Sequence, residues 1–320
     1  MKKKTLGRLV FYPLFLIAVS IIFKDQLVSA FSDNNGFDLT DSLINKQEIH
    51  HGGPAKDGIP AIDHPTFTSI TQAAYLMPDD RILGLSMDGI AKAYPVRILN
   101  YHEIVNDFFS DKAIAITYCP LCGSGVAYSA NINGRNTTFG VSGLLYNSDV
   151  LLYDRETESL WSQLLSKAIS GKQKGTVLEM LALTHTSWRD WQQKYPQTLV
   201  LSQKTGFNRD YSRSPYGSYD KSKALYFPVN RLNTQYHPKE YVIGLKIGDQ
   251  TKVYPFAELA KIHSPYRDSF AGKKISVLFD AKNRTGKILD NNQKEIPTTT
   301  SFWFAWMAFY PESEIFKGLK

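Results

Sequence analysis

Hydrophobic positions come in short bursts along this chain, and most bursts have the length of a strand. An apolar run from Arg81 to Met87 meets Asp88-Gly89, and a second run ends at Tyr94-Pro95. Two such runs about a Gly-containing turn predict a β-hairpin. Pro95 then opens a stretch where Ile98, Tyr101, His102 and Val105 recur at helical spacing, and Ala113–Tyr118 reads as a strand. The order predicted is β-β-α-β.

The same pattern returns later in the chain. Ile82-Leu83-Gly84-Leu85 recurs as Val242-Ile243-Gly244-Leu245, an offset of 160 residues that also matches Lys92 with Lys252, Tyr94 with Tyr254, Pro95 with Pro255 and Leu99 with Leu259. One residue of slippage then pairs Asp107 with Asp268, Phe109 with Phe270 and Ile114 with Ile275. Two copies are too few for a solenoid array. The expected fold class is α+β and strand-rich: an internally duplicated β-β-α-β unit, at about residues 79–130 and 239–290, with a β-rich insertion between the copies. In that insertion Asn133-Gly134 is a hairpin turn signal, and Asp149–Tyr153 reads as a strand. Ser187 is placed to cap a short helix through Tyr195, where Trp188, Trp191 and Tyr195 form a core-type stripe. Phe302–Trp306 also reads as core, and the Gly- and Pro-rich stretch from Gly52 to Pro65 as an ordered loop or entry arm.

The first thirty residues obey a different rule. Lys2, Lys3, Lys4 and Arg8 precede an apolar run from Leu9 to Phe23, and Val28-Ser29-Ala30 supplies a small-residue cleavage site before Phe31. The reading is a signal peptide over residues 1–30, with an uncleaved N-terminal anchor as the alternative, and one domain over 31–320. The protein is therefore expected in the periplasm or outside the cell. No cysteine follows the apolar run, which excludes lipoprotein attachment. Removing five basic residues and one acid lowers the formal charge from +7 to +3. Lys and Arg are spread along the remainder, so a nucleic-acid partner is not expected. A membrane is expected to be met only through the N-terminal segment.

Chemistry concentrates at the only two cysteines, in Tyr118-Cys119-Pro120-Leu121-Cys122-Gly123. Such a pair can close a disulfide, bind a soft metal or cycle between dithiol and disulfide. Gly123-Ser124-Gly125 is a poor helix start, which weakens a thioredoxin-like reading, whereas Cys-Pro-x-Cys-Gly matches the tight knuckle of zinc ribbons. No second pair exists, so further metal ligands must come from His, Asp, Glu or water. His102 is the leading candidate, with Glu103 beside it. His102-Glu103-Ile104-Val105-Asn106 lacks the second histidine of the zinc-protease motif, so hydrolysis ranks last. His50 and His51 are adjacent, a pairing that can bind metal but is more often a solvated loop, and His64 precedes a proline; His185, His237 and His263 have no supporting pattern. Ser142-Gly143 lacks the spacing of a nucleophile elbow. Tyr118, Ser142 and Asp154 are assigned supporting, cofactor-binding places around the thiols.

Several stretches together resemble a bacterial and archaeal family catalogued as domain of unknown function 3179. They are Gly52-Gly53-Pro54 with Lys56–Ala61, Ala93-Tyr94-Pro95, His102–Asp107, Thr117–Cys122, Phe139–Gly143, Tyr153-Asp154-Arg155, Leu160–Gln163 and Arg209-Asp210-Tyr211. The resemblance covers most of the chain after residue 30 and implies a domain identity, with no activity attached. The expected function is metal binding (copper or zinc) or thiol–disulfide exchange at Cys119 and Cys122, with a metal ion or envelope protein thiols as partner. The alternative is a non-catalytic binding module for an envelope ligand or protein, stapled by a structural disulfide.

Overall fold

The computed structural model describes residues 34–318, and the expected signal peptide lies outside them. The fold is strand-rich α+β. An entry segment supplies β1 (Ile49–His51) and β2 (Phe67–Thr68). The first hairpin comes next as β3 (Arg81–Met87) and β4 (Ile90–Pro95), then helix α1 (Val96–His102) and a meander of β5 (Ile104–Phe109), β6 (Lys112–Cys119) and β7 (Ser124–Ser129). The segment expected to continue the helix through Val105 is strand instead. Glu103 turns the chain with φ 57, ending α1, and residues 104–109 pair with β6. His102 and Asn106 therefore do not share a helix face.

The β-rich insertion contributes β8 (Asn131–Ile132), β9 (Arg135–Asn136), β10 (Phe139–Tyr146), β11 (Asp149–Asp154), β12 (Leu160–Ser162), β13 (Lys167–Ala168) and β14 (Met180–Leu181). Asn133 and Gly134 turn β8 into β9 with φ 52 and 83, as the sequence signal requires. The chain then returns to the first hairpin with β15 (Thr184–Ser187), helix α2 (Trp188–Lys194) and β16 (Leu199–Leu201). β15 pairs antiparallel with β3 and β16 parallel with β4. The last strands of the insertion thus join the sheet of the first hairpin. Ser187 caps α2 by accepting the Asp190 N–H, as its position predicts.

The later part of the chain runs β17 (Tyr241–Ile247), β18 (Gln250–Pro255), helix α3 (Phe256–Leu259), β19 (Tyr266–Phe270), β20 (Lys273–Asp280), β21 (Thr285–Leu289), β22 (Glu295–Ile296), β23 (Thr299–Phe302), helix α4 (Trp303–Phe309) and β24 (Glu314–Ile315). Here too a strand pairs antiparallel with the hairpin's first strand (β23 on β17), and another pairs parallel with its second (β24 on β18). A Cβ on Gly84 would meet Trp191 at 2.3 Å, and one on Gly244 would meet Trp306 at 2.0 Å, so each hairpin depends on glycine to seat a tryptophan. Each indole packs against a tyrosine one turn later, with centroids 4.2 Å apart for Trp191–Tyr195 and 4.5 Å for Trp306–Tyr310.

One sheet positions the site. Its order is β24-β18-β17-β23-β7-β6-β5, joined at Thr300 and Gly125. Side chains alternate across β6: Ala113, Ala115 and Cys119 enter a core with Phe139, Trp161, Phe302 and Phe304, while Ile114, Ile116 and Tyr118 enter the opposite core with Leu83, Tyr94 and Ile98. Tyr118 therefore points away from the thiols. Among the described residues no helix is long and apolar enough to cross a membrane.

Candidate metal centre

Cys119 closes β6, Ser124 opens β7 opposite it, and Cys122 lies in the turn between them. The Cys122 N–H donates to the Cys119 carbonyl at 3.2 Å, and the Phe302 N–H donates to the Cys122 carbonyl at 2.7 Å, tying the turn to β23. Gly123 is required twice over. Its φ is 58, and a Cβ there would meet the Phe302 ring at 2.8 Å. Gln163 braces both flanks: its Nε2 donates to Thr117 Oγ1 at 2.9 Å, and its Oε1 accepts from Ser124 Oγ at 2.5 Å.

Facing the thiols is a second tight turn, between β10 and β11. Tyr146 pairs with Asp149 across a two-residue loop, Asn147-Ser148, whose φ values of 49 and 64 are both left-handed. Such a loop favours Asn-Gly, so a serine at the second place carries backbone strain. Two contacts hold it there. Asn147 Oδ1 accepts the Asn230 N–H at 2.7 Å, and Ser148 Oγ donates to the Phe227 carbonyl at 2.7 Å. The consequence is that the Ser148 carbonyl is aimed at the sulfurs, 3.3 Å from Cys122 Sγ and 3.8 Å from Cys119 Sγ.

Asp149 completes the cluster. The Sγ atoms of Cys119 and Cys122 and a carboxylate oxygen of Asp149 all lie within 4.8 Å of one another, and all three residues are buried. Among the described residues no other group of His, Cys, Asp and Glu meets that distance. Asp149 Oδ2 accepts the Leu164 N–H at 3.0 Å, whereas Oδ1 is buried without a well-formed hydrogen bond; the two thiols and the Val150 N–H approach the carboxyl and offset part of its burial. The Tyr219 hydroxyl, close enough to feel the charge of both cysteines, is also buried and unpartnered. Burial dominates the electrostatics. It pushes both thiols above their ordinary range and raises the Asp149 carboxyl to about 7. Burial also lowers Lys239 to about 8, against the pull of Cys122. Its ammonium lies 3.8 Å from the Tyr219 ring centroid.

The other residues singled out in the sequence fall into different places. His102 is buried, with Nδ1 2.8 Å from the Pro60 carbonyl and Nε2 2.6 Å from the Tyr211 hydroxyl. A carbonyl can only accept, so Nδ1 carries the proton and Nε2 accepts from Tyr211. Both nitrogens are engaged, and His102 is outside the three-residue cluster. Its work is to tie the entry arm to the Thr205–Tyr211 loop. Glu103 is buried nearer the thiols, accepts the Tyr216 hydroxyl at 3.2 Å, and is raised to about 8 by burial, with Asp149 adding to the shift. Ser142 Oγ donates to the Leu151 carbonyl and accepts the Leu144 N–H at 3.0 Å, holding the bulge in β10. Asp154 accepts the Thr157 N–H and the Trp161 indole N–H, closing the β11–β12 turn. Both act within their own hairpins. Cys119 and Cys122 stand as free thiols in the structure, both buried.

Asp149, Ser148 and Tyr219 had no motif to reveal them. The one sequence signal was the polar run Asn147-Ser148-Asp149 between two apolar strands.

The family model described as "Protein of unknown function (DUF3179)" matches residues 56–295 of the 320, and the chain belongs to that family. No curated protein and no solved structure matches it.

Proposed function

We propose that this member of the family is an exported cell-envelope protein whose Cys119–Cys122–Asp149 centre binds one metal ion through thiolates. The observation that carries the reading is the cluster itself: two buried thiols and a buried carboxylate within 4.8 Å of one another, where Asp149 Oδ1 lacks a well-formed hydrogen bond and the thiols are the only side chains that approach the carboxyl as donors. Orphaned buried oxygens are rare because desolvation without a partner costs about 1–3 kcal/mol, more when charged. A cation between the three donors removes that cost. Zinc bound at ~2.3 Å to sulfur and ~2.0–2.2 Å to oxygen would hold its ligands inside the observed 4.8 Å limit. The Ser148 carbonyl or a water is then available as a fourth donor. Copper(I) suits the two thiolates alone and leaves Asp149 protonated.

Three rival readings fit less well. Thiol–disulfide exchange with an envelope protein needs an accessible thiolate; Cys119 and Cys122 are 1% and 0% exposed, and burial keeps both protonated. A structural disulfide would leave Asp149 Oδ1 and the Tyr219 hydroxyl still unpartnered. Hydrolysis by His102 and Glu103 is disfavoured because both imidazole nitrogens already have partners. The test is titration of the chelator-treated protein with Zn(II) and, separately, with Cu(I). One equivalent should bind with release of protons from the thiols, and C119S/C122S should bind none. Equal binding by that double variant would overturn the reading.

We also infer that the two hairpin units descend from a duplicated ancestor. Supporting this, Lys92 and Tyr94 contact Asp107 at 2.8 and 2.5 Å, and Lys252 and Tyr254 contact Asp268, both at 2.9 Å. At the position of Cys119 and Cys122 the later unit has Asp280 and Asn283, hydrogen-bonded to each other at 2.7 Å. One unit keeps a polar turn where the other places the thiols.

A further inference from the structure

Beside the thiol centre lies a separate cavity of about 300 Å³, walled by the entry arm, β10, β11 and the segment between β16 and β17. Its surface is almost wholly apolar, with Ile59, Leu121, Leu145, Val150 and Phe227 among its walls. The one carboxyl lining it is Glu103, and no Lys, Arg or His lines it. Glu103 is held rigidly. Its backbone is locked at φ 57, and its carbonyl accepts the Tyr118 N–H at 2.7 Å. Tyr216 donates to Oε1 at 3.2 Å, leaving the second carboxyl oxygen free of protein partners.

We propose that this cavity binds a small uncharged molecule, mostly apolar and with one hydrogen-bond-accepting oxygen, which the Glu103 carboxyl recognises. A dry cavity of ~150 Å³ accepts benzene, so about 300 Å³ accommodates two fused rings or about ten heavy atoms. The absence of a lining cation leaves nothing to neutralise an anionic ligand. An ionised Glu103 would equally be uncompensated in these apolar surroundings, so the carboxyl keeps its proton and donates it. The titratable groups near it are Tyr216, Asp149 and Cys119; the Tyr216 hydrogen bond favours the ionised form, but burial outweighs it and Asp149 opposes it. Leu121 and Val150 are chain neighbours of Cys122 and Asp149, so the ligand would sit next to the thiol centre without touching a sulfur. Tyr216, Tyr226 and Phe227 form the outer wall, on a segment whose only helical turn is Tyr219–Lys221. The exposed Tyr226 places this wall at the solvent side of the cavity.

Binding in this cavity does not require the metal and is tested separately from it. Calorimetry on the full chain, with and without bound zinc, uses four probes of one shape: 1-indanone, indane, 1-aminoindane as its ammonium ion, and indane-1-carboxylate. Indanone should bind about tenfold more tightly than indane, the effect of one good hydrogen bond, and the two ions more weakly than either. Glu103→Gln keeps a donor and should hold indanone affinity within about threefold; Glu103→Leu should abolish the preference for indanone over indane. Ile59→Trp should fill the cavity and abolish binding of both, with thiol and metal content unchanged. Failure of indanone to bind the wild-type chain, tighter binding of the ammonium, or unchanged binding in Ile59→Trp would each overturn the proposal.

Discussion

Replacing Asp149 with asparagine should make the metal-free protein more stable at alkaline pH, the reverse of the effect of removing a satisfied buried carboxylate. Asp149 is raised from an ordinary 3.8 to about 7 by burial, with the Leu164 N–H and the thiols offsetting only part of the penalty. Below pH 3.8 both the folded and unfolded chains hold the proton, and no cost arises. As the pH rises the unfolded chain gives up its proton first, so stability falls until the folded group also ionises near 7. At about 1.4 kcal/mol per pH unit the full penalty is about 4 kcal/mol, a large part of the 5–15 kcal/mol typical of a domain. The amide in D149N would have no such titration, and its oxygen can still accept the Leu164 N–H. Urea unfolding monitored by tryptophan fluorescence, in chelator at pH 4.5 and pH 8, measures the difference. The gap between the two proteins should move by about 3 kcal/mol in favour of D149N over that interval. Glu103 titrates in both proteins, and because Asp149 helps to raise it, its smaller shift in D149N moves the gap in the same direction. Adding zinc should reverse the order, because a ligand at a thousandfold its Kd adds about 4 kcal/mol and D149N binds zinc less well. A D149N protein that is less stable than wild type at pH 8 without metal, or a gap that does not change with pH, would refute this reasoning.

The same geometry sets further outcomes. D149N should weaken zinc binding at least tenfold and leave copper(I) binding within about threefold, so competition titrations with each metal report whether the carboxylate is a ligand. Gly84→Ala and Gly244→Ala should each destabilise by about 1–3 kcal/mol, since each new Cβ meets an indole at 2.3 and 2.0 Å respectively; equal midpoints with wild type in urea would contradict the packing. Lys239→Met should lower metal affinity through loss of a cation beside Cys122, an effect that shrinks in high salt if the charge is the cause. N-terminal sequencing of the exported protein should begin at Phe31; a mature chain beginning at residue 1 or 2 would establish an anchor instead.

Local pattern was enough for the hairpins and the caps. The Arg81–Met87 and Ile90–Pro95 strands, the Asn133-Gly134 turn and the Ser187 cap are all decided by residues within a few positions, and each forms where expected. The helix was overextended because Ile98, Tyr101, His102 and Val105 satisfy a helical period. Yet Val105 satisfies β5 equally well, and only the turn at Glu103 decides between them. The offset of 160 residues is legible up to Ile114, but the return of β15 to β3 is a tertiary event without a local mark. The thiols were legible as the only cysteines. Asp149 was not, because its proximity to them comes from two hairpin turns meeting across the core. His102 drew attention by its place in a familiar motif, but its surroundings supply it with two ordinary hydrogen-bond partners.

Occupancy of the Cys119–Cys122–Asp149 cluster by a metal ion is tested most directly by metal analysis and thiol titration on one sample, purified without chelator or reductant. One zinc or copper per chain is predicted, with both thiols unreactive until chelator is added and two thiols titrating afterwards. A metal-free protein with two titratable thiols after unfolding, or with none because Cys119 and Cys122 have closed a disulfide, would contradict it.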